Sequence, residues 1–555
     1  MIKIPQEFDT VAYFSMEIGL ESDMRTYSGG LGVLAGDTLR TFADLNINAV
    51  GVTQINSKGY NRQVLDENGN QIDSPDEWNP EDFLERLPET TTVKIEGEDV
   101  KIGVWRREIE SPEGFTVPIL FLDTDLEENK ERFRDITSRL YGDDRRYRLS
   151  QEIVLGIGGA RILDELGYNI DKYHMNESHS SLLSLELLKK QDMDREKVKD
   201  LCVFTTHTPE GSAHDEFSYG LVEEVLGDFV SISELKELSQ EESLHMSLLA
   251  LNLSGYSNAV SKRHGEVSKQ MFPEYSIDSI TNGVHPPTWV SESFAEVYDE
   301  WVPGWRSDPY KLKHAVGIPE EEIWEAHLSE KEKLIDAVNN NSEVEMNDRV
   351  FTIGFARRAA PYKRADLIFQ DTDRLVQIAK EKGDFQVIFA GKAHPQGEKS
   401  KEMIGRVTGH IRELKDDIKM TYLQGYDMDW GALLTAGVDL WLNTPERGRE
   451  ACGTSGMKAA CNGVPQLSTL DGWWIEGHLE DVTGWKIGLE PEETPENAYQ
   501  TDSKDLYEKL EEYIMPCFYA DRKKWVRIMR NAIAFNASYY HTHRMVGEYL
   551  VNAYT

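Results

Sequence analysis

One lysine, Lys458, stands in the run Glu450-Ala451-Cys452-Gly453-Thr454-Ser455-Gly456-Met457-Lys458-Ala459-Ala460-Cys461-Asn462-Gly463, a small, glycine-rich turn that is otherwise nearly uncharged. An amine whose charge is disfavoured by its surroundings gives up its proton more readily and becomes a nucleophile, so an aldehyde cofactor such as pyridoxal phosphate can form a Schiff base there. The competing reading is a plain helix entry, with Thr454 or Ser455 as N-cap and Lys458 turned to solvent. Short motifs of this kind recur by accident, and other segments must decide between the two.

Arg357-Arg358-Ala359-Ala360-Pro361-Tyr362-Lys363-Arg364 is the next chemical feature, a cation cluster in an acidic chain. Arginine offers a planar fork for phosphate oxygens and lysine a point charge, so the cluster suits two neighbouring phosphoryl groups. Its alternative is a helix start whose basic residues pair with surface acids. Ser28-Gly29-Gly30-Leu31-Gly32 is a second glycine-rich turn, whose amides can approach an anion at a helix N-terminus. It lacks the Lys-Ser/Thr ending of a nucleotide-binding P-loop, and its third glycine comes too late for a dinucleotide fingerprint.

Thr205-Thr206-His207-Thr208-Pro209 sets a histidine at a strand end, and His174-Met175-Asn176-Glu177-Ser178-His179 adds a second polar cluster. A lone histidine is more often structural than catalytic, yet one flanked by threonines at a sheet end can bond sugar hydroxyls. Thr281-Asn282-Gly283 is either an asparagine at a hinge or a simple turn. Glu450 can accept hydrogen bonds from a sugar ring or cap the helix that follows. Trp289, Trp473 and Trp474 offer flat faces for rings to stack on, or belong to the core.

These groups need a scaffold. In the second half, short β-rich runs at 350–355, 385–390, 419–423, 438–442 and 465–469 alternate with helix-forming stretches, as in a doubly wound parallel sheet. Each run ends in polar or glycine residues, where ligands of open α/β sheets bind. The first half repeats the theme less regularly, with strands expected at 11–14, 49–54, 118–122, 202–206 and 276–280 and a helix at 182–190. A helical, acidic segment at 317–338 meets a break at 339–342, and further helices are expected at 505–515, 523–539 and 540–554. The expected domains are 1–288 and 289–520, each built on a Rossmann-like sheet, and 521–555, helices packing back across both.

A chain of 555 residues with 39% hydrophobic content supports two large cores. It has no run of apolar residues long enough to span a bilayer, and the first residues lack the apolar core of a signal peptide. Cys202, Cys452, Cys461 and Cys517 show no CxxC spacing, so neither a disulfide framework nor a metal site is expected, and the compartment expected is the cytoplasm. The net charge of −38 argues against nucleic acid or anionic membrane as partners.

Taken in order, Tyr13-Phe14-Ser15-Met16-Glu17, Gly29-Gly30-Leu31-Gly32, Asn176-Glu177-Ser178-His179, Thr206-His207-Thr208, Thr281-Asn282-Gly283, Arg358 with Tyr362-Lys363-Arg364, Gly391-Lys392-Ala393 and the run from Glu450 to Gly463 resemble the α-glucan phosphorylases, the glycogen, starch and maltodextrin phosphorylase family. The likeness covers most of the chain. It implies a pair of Rossmann-like domains facing each other across a cleft, the glycosyltransferase architecture known as GT-B. It implies reversible phosphorolysis of the terminal α-1,4-linked glucose of a glucan to α-glucose 1-phosphate, with retained configuration.

By the same resemblance Lys458 holds pyridoxal 5'-phosphate, Tyr426 and Trp289 lie near it, and Thr454 and Ser455, with Arg357, hold its phosphate. Arg358 and Lys363 bind the reacting inorganic phosphate, assisted by the Gly29-Gly30 amides beside Leu31. His207, Asn282 and Glu450 hold the transferred glucosyl unit, and Glu17, His179, Cys452 and Gly453 complete the saccharide site. The cofactor acts through its phosphate, passing a proton to the substrate phosphate, and clustered cations offset the repulsion of two phosphoryl groups in a dry site. Family members are commonly homodimers.

Departures are specific. Arg357 stands where many members have lysine, and Cys452 and Ser455 replace serine and glycine. The Ser-Met-Glu segment begins at residue 15 and the stretch between Asp123 and Gln151 is short, so control by N-terminal phosphorylation or by a gating loop is not expected. The rival readings are a nucleotide-sugar glycosyltransferase of the glucan synthase type and a catalytically silent glucan-binding protein.

Overall fold

The computed structural model describes residues 10–142, 144–211, 214–491, 493 and 497–555. Its contacts divide the chain into two units, one of Met1–Tyr60, Pro75–Thr281 and Met545–Thr555, the other of Asn61–Ser74 and Asn282–Arg544.

The first unit is built on a nine-stranded sheet. Its strands are β1 (Thr10–Ser15), β2 (Ala49–Gln54), β3 (Glu85–Ile95), β4 (Glu98–Glu110), β5 (Thr116–Asp123), β6 (Ile170–Asn176), β7 (Cys202–Thr205), β8 (Tyr256–Ala259) and β9 (Asp278–Ser279). They lie in the order β9-β8-β7-β6-β1-β2-β5-β4-β3, parallel except at the two pairings made by β4. Strand alternation sends side chains to opposite faces. Ala12, Phe14, Val50, Val52, Leu120 and Leu122 accordingly join one core, whereas Val11, Tyr13, Ala49, Ile119 and Phe121 join another. Both faces are covered, as a parallel sheet requires.

The second core is closed by the helix Gly30–Asp44 and by the end of the chain. Met545, Val546, Tyr549, Leu550, Ala553 and Tyr554 pack into it. The Tyr554 hydroxyl lies 2.6 Å from His174 Nδ1, and Asn258 Nδ2 donates to the Tyr549 hydroxyl at 3.0 Å.

The second unit holds a six-stranded, wholly parallel sheet. Its strands are β10 (Phe351–Ala356), β11 (Phe385–Ala390), β12 (Lys419–Leu423), β13 (Leu440–Asn443), β14 (Gln466–Thr469) and β15 (Gly484–Ile487), in the order β12-β11-β10-β13-β14-β15. This is the Rossmann strand order, and the winding reverses between β10 and β13. In the first unit it reverses between β1 and β6. The hairpin Arg62–Leu65 and Gln71–Ser74 belongs to the second unit: Gln63 Nε2 donates to the Gly391 carbonyl at 2.8 Å, and Gln71 exchanges hydrogen bonds with the Ala393 backbone.

The α/β class with two doubly wound sheets is as expected, and the strands at 49–54, 385–390 and 419–423 coincide with β2, β11 and β12. The break expected at 339–342 is later, because the helix Glu320–Asn341 runs through the asparagines. Asn339 ties its amide to Met346 at both ends and so supports the last turn instead of ending it. The helices expected at 505–515 and 523–539 contain wider π-helical turns, Lys509–Ile514 and Ala532–Ala537.

Candidate active site

At the reversal point of the second sheet, the loop after β10 carries the cations and the loop after β13 carries Glu450. Arg357 Nη2 and Lys363 Nζ both donate to one oxygen, Glu450 Oε2, at 2.8 and 2.5 Å. Burial by itself raises the Glu450 carboxyl, but Arg357 and then Lys363 outweigh it and hold the group below the usual carboxylate range. Arg358 is exposed and lines one small cavity with Arg357, Lys363, Phe389 and Tyr422.

The loops are braced from behind. Arg364, left-handed at φ 48° and buried, donates to the Thr444 and Pro445 carbonyls and to Asp502, which also receives Arg447. Asp471 Oδ2 accepts the backbone N–H groups of Arg449 and Glu450 at 3.1 and 2.8 Å, and burial raises the Asp471 carboxyl to about 6.

Lys458 lies in the helix Ser455–Cys461, whose N-cap is Thr454; the Lys458 amide donates to the Thr454 carbonyl at 3.3 Å. The lysine ammonium sits 3.6 Å from the ring centroid of Trp289, which is buried. Asn462 fixes this pairing, for its side chain donates to the Trp289 carbonyl at 2.9 Å and accepts from the Ser291 amide at 2.8 Å. Tyr426 and Trp289 both border Gly431, where an added Cβ would lie 3.2 Å from the Tyr426 hydroxyl and 4.0 Å from the indole. Ser455 Oγ accepts from Trp441 Nε1 at 3.1 Å. Gly453 is left-handed at φ 83° and lies against Glu450, while the buried Cys452 thiol lies against the Asn282 main chain. Arg544 Nη2 donates to the Asn282 carbonyl at 2.9 Å.

In the first unit, the reversal point brings Glu17 after β1 beside the glycine-rich turn. Glu17 Oε2 accepts the Ser28 and Gly29 amides at 2.6 and 3.2 Å, and Oε1 accepts the Tyr141 hydroxyl at 2.6 Å. The Gly29 amide is thus engaged by an internal carboxylate, and Gly30 and Leu31 open the helix Gly30–Asp44. After β6, Glu177 at φ 74° accepts the Ser178 and His207 amides and the Thr208 hydroxyl at 2.9, 2.7 and 2.9 Å. His207 Nε2 lies 2.6 Å from Asn176 Oδ1, which assigns the proton of the neutral ring to Nε2. Burial lowers His207 to about 4, and burial followed by Arg148 lowers His179 to about 4, so both rings are neutral near pH 7.

Comparison with known proteins adds to this geometry. A family model described as carbohydrate phosphorylase matches residues 211–515. A maltodextrin phosphorylase of Thermococcus litoralis is 36% identical over 99% of this chain and 71% of its own length. Glycogen phosphorylases of Aquifex aeolicus and Mycobacterium tuberculosis are 34% and 31% identical over 98% of the chain, covering 86% and 70% of their own lengths. The chain belongs to the carbohydrate phosphorylase family.

For a phosphorylase, the notable feature is how the residues group within each unit. Arg357, Lys363 and Glu450 touch directly, Arg358 lines a cavity with the two cations, and Lys458, Trp289 and Tyr426 form a further set. Glu17 with Gly29, and His207 with the Asn176–Glu177 segment, form two sets in the first unit. Asp471 falls in the polar loop after 465–469, where its type alone marks no role, and Glu177 is legible within the Asn176–His179 segment. Tyr141, left-handed at φ 59°, and Asp215, which receives Arg148 Nη2 at 2.9 Å and lies 3.7 Å from His179 Nε2, were missed because their partners are remote in sequence.

Proposed function

We propose that the chain is an α-glucan phosphorylase, which uses inorganic phosphate to release the terminal α-1,4-linked glucose of a maltodextrin-, glycogen- or starch-type glucan, reversibly, as α-glucose 1-phosphate with retained configuration. The observation that carries this reading is the Glu450 carboxylate shared by Arg357 and Lys363 at the sheet's reversal point, in a member of the phosphorylase family. Those cations suit phosphoryl oxygens, and the carboxylate suits sugar hydroxyls. The relatives named maltodextrin and glycogen phosphorylase favour this over nucleotide-sugar-dependent transfer.

In this reading pyridoxal 5'-phosphate is held by Lys458, with Trp289 and Tyr426 beside its ring and Thr454, Ser455 and Arg357 at its phosphate. The fit is supported by Arg357, whose Nε and Nη1 are buried with no hydrogen-bond partner among the described residues, two N–H groups of the kind a phosphate takes. When bound, the cofactor supplies a phosphoryl group that exchanges a proton with the substrate phosphate.

The chain's own residues do the rest. Arg358 and Lys363 hold orthophosphate, and Gly30 and Leu31 offer helix-start amides to an anion, with Gly29 kept in place by Glu17. His207 directs its backbone carbonyl to the sugar as positive charge develops, and its neutral ring suits a hydroxyl. In the second unit Asn282 and Glu450 orient the glucosyl unit, with Cys452 and Gly453 beside them, and in the first unit Glu17 and His179 are saccharide-binding groups. The proposal includes a cytoplasmic setting and homodimerisation.

The test is phosphate-dependent release of glucose 1-phosphate from maltooligosaccharides of graded size, with borohydride fixing the cofactor on Lys458. Elongation from a nucleoside diphosphate glucose, with no phosphate dependence and no cofactor fixed, overturns the reading.

A further inference from the structure

We propose that Glu450 couples the two substrates: it changes partner from Lys363 and Arg357 to the hydroxyls of the glucosyl unit when inorganic phosphate takes those cations. This rests on the functional reading above and deepens it.

Glu450 offers a single oxygen, Oε2, to both cations, and all three side chains are only 8–11% exposed. Charge-assisted bonds of this kind are stronger than those to a neutral hydroxyl. While they persist, a sugar hydroxyl meets a carboxylate whose charge is already spent on two cations. Orthophosphate carries more charge and more acceptor oxygens than a carboxylate, so it competes for the same Nζ and Nη2 donors. Lys363 Nζ is the donor that orthophosphate takes outright; Arg357 keeps Nε and Nη1 for the cofactor phosphate and brings only Nη2 to the exchange.

The switch needs only the Glu450 side chain to turn. Its backbone N–H is fixed on Asp471 Oδ2 at 2.8 Å, and the neighbouring Arg449 N–H is held by the same oxygen at 3.1 Å. Beside the side chain stands Gly453, where a Cβ would lie 3.2 Å from Glu450 Cγ; a glycine leaves the carboxylate room to swing. An anion that takes Lys363 therefore favours the form of Glu450 that binds glucan. By linkage, glucan raises affinity for the anion by the same factor.

The test is calorimetric binding of maltopentaose to the holoenzyme in sodium chloride and in sodium sulfate of equal ionic strength, sulfate being a tetrahedral dianion that does not turn the glucan over. In the wild type, sulfate should tighten maltopentaose binding about tenfold, within the usual range of such couplings. Glu450→Gln should bind with the same affinity in both salts. Lys363→Met, which leaves the carboxylate in place but removes one competitor, should lose most of the sulfate effect without losing glucan affinity in chloride. Wild-type binding that ignores sulfate, or an undiminished sulfate effect in either variant, overturns the coupling alone. No maltopentaose binding to the wild type in either salt overturns the functional reading and the coupling with it.

Discussion

Lys363 and Arg357 draw the Glu450 carboxyl down against the pull of burial, so removing either cation changes more than one charge. Lys363→Ala deletes the Nζ that a phosphate would meet and leaves Glu450 with Arg357 alone. We expect kcat/KM for phosphate to fall by about 10²-fold or more, the scale of losing one preorganised charge-stabilising group, while the unfolding midpoint changes little; steady-state kinetics at varied phosphate check it. Tyr141→Phe tests the other unit. It removes the hydroxyl on Glu17 Oε1, a charge-assisted bond worth roughly 1.5–3 kcal/mol. The expected result is a lower urea midpoint and a weaker response to substrate anion, with the cofactor still retained.

Among the elements, the strand ends do the positioning, and β11 shows how tightly. Gly391 closes it at φ 140°, and a Cβ there would lie 2.0 Å from the Arg357 carbonyl. Gly391→Ala thus strains the backbone and pushes against the residue that bears the Glu450 contact. Overpacking of this kind costs about 1–3 kcal/mol; thermal unfolding should show the loss, and phosphate saturation should worsen with it. The elements also show what sequence can disclose. Strands β10, β11 and β12 are legible because apolar runs are cut short by polar loops, and β2 because Ala49–Val52 is an unbroken run of small and apolar residues. Strand β6 was hidden by Asp171, Lys172, His174 and Asn176, yet His174 and Asn176 are buried because Tyr554, Thr205, Ser15 and His207 satisfy them. Strands β3 and β4 alternate apolar residues with Glu, Lys and Arg, a half-buried pattern that resembles a charged surface segment. Motif order singled out Arg357, Lys363 and Glu450, which the fold brings into contact. It could not disclose that one oxygen of Glu450 serves two cations, since side-chain direction is set by folding.

Across the whole molecule, buried imidazoles decide the response to acid. Burial lowers His174 to about 3 and, with smaller contributions from neighbours, His179, His207 and His264 to about 4, against an unfolded value of 6.5. Below that value the unfolded chain takes up protons that the folded chain refuses, so stability falls as pH drops from about 6.5 toward 4. At pH 5 each such ring costs roughly 2 kcal/mol relative to pH 7. Carboxyls held low by their partners, such as Glu177, Asp215 and Glu450, add to the loss, whereas Asp471 and Glu152, raised by burial, oppose it. The imidazoles outnumber the carboxyls raised by burial, Asp505 being a third, and urea midpoints at pH 7 and pH 5 should differ accordingly. Removing the chain after Arg544 tests another global feature. It strips Met545, Val546, Tyr549 and Leu550 from the first unit's core, at roughly 1.5–3 kcal/mol per large apolar side chain. That sum rivals the 5–15 kcal/mol by which domains are stable at all, so the truncated protein should lose the cooperative transition seen by near-ultraviolet circular dichroism.

Residues 545–555 being lodged against the core side of β1 and β2 has a consequence for biosynthesis. Nascent chains ordinarily settle from the amino end as they leave the ribosome. Here the first unit's sheet must wait, with Val11 and Tyr13 short of their Met545 and Tyr549 neighbours, until residues 545–555 have been made. The second unit's sheet can knit around the hairpin of residues 61–74 already synthesised, so it is free to finish first, and the first unit's sheet matures after it.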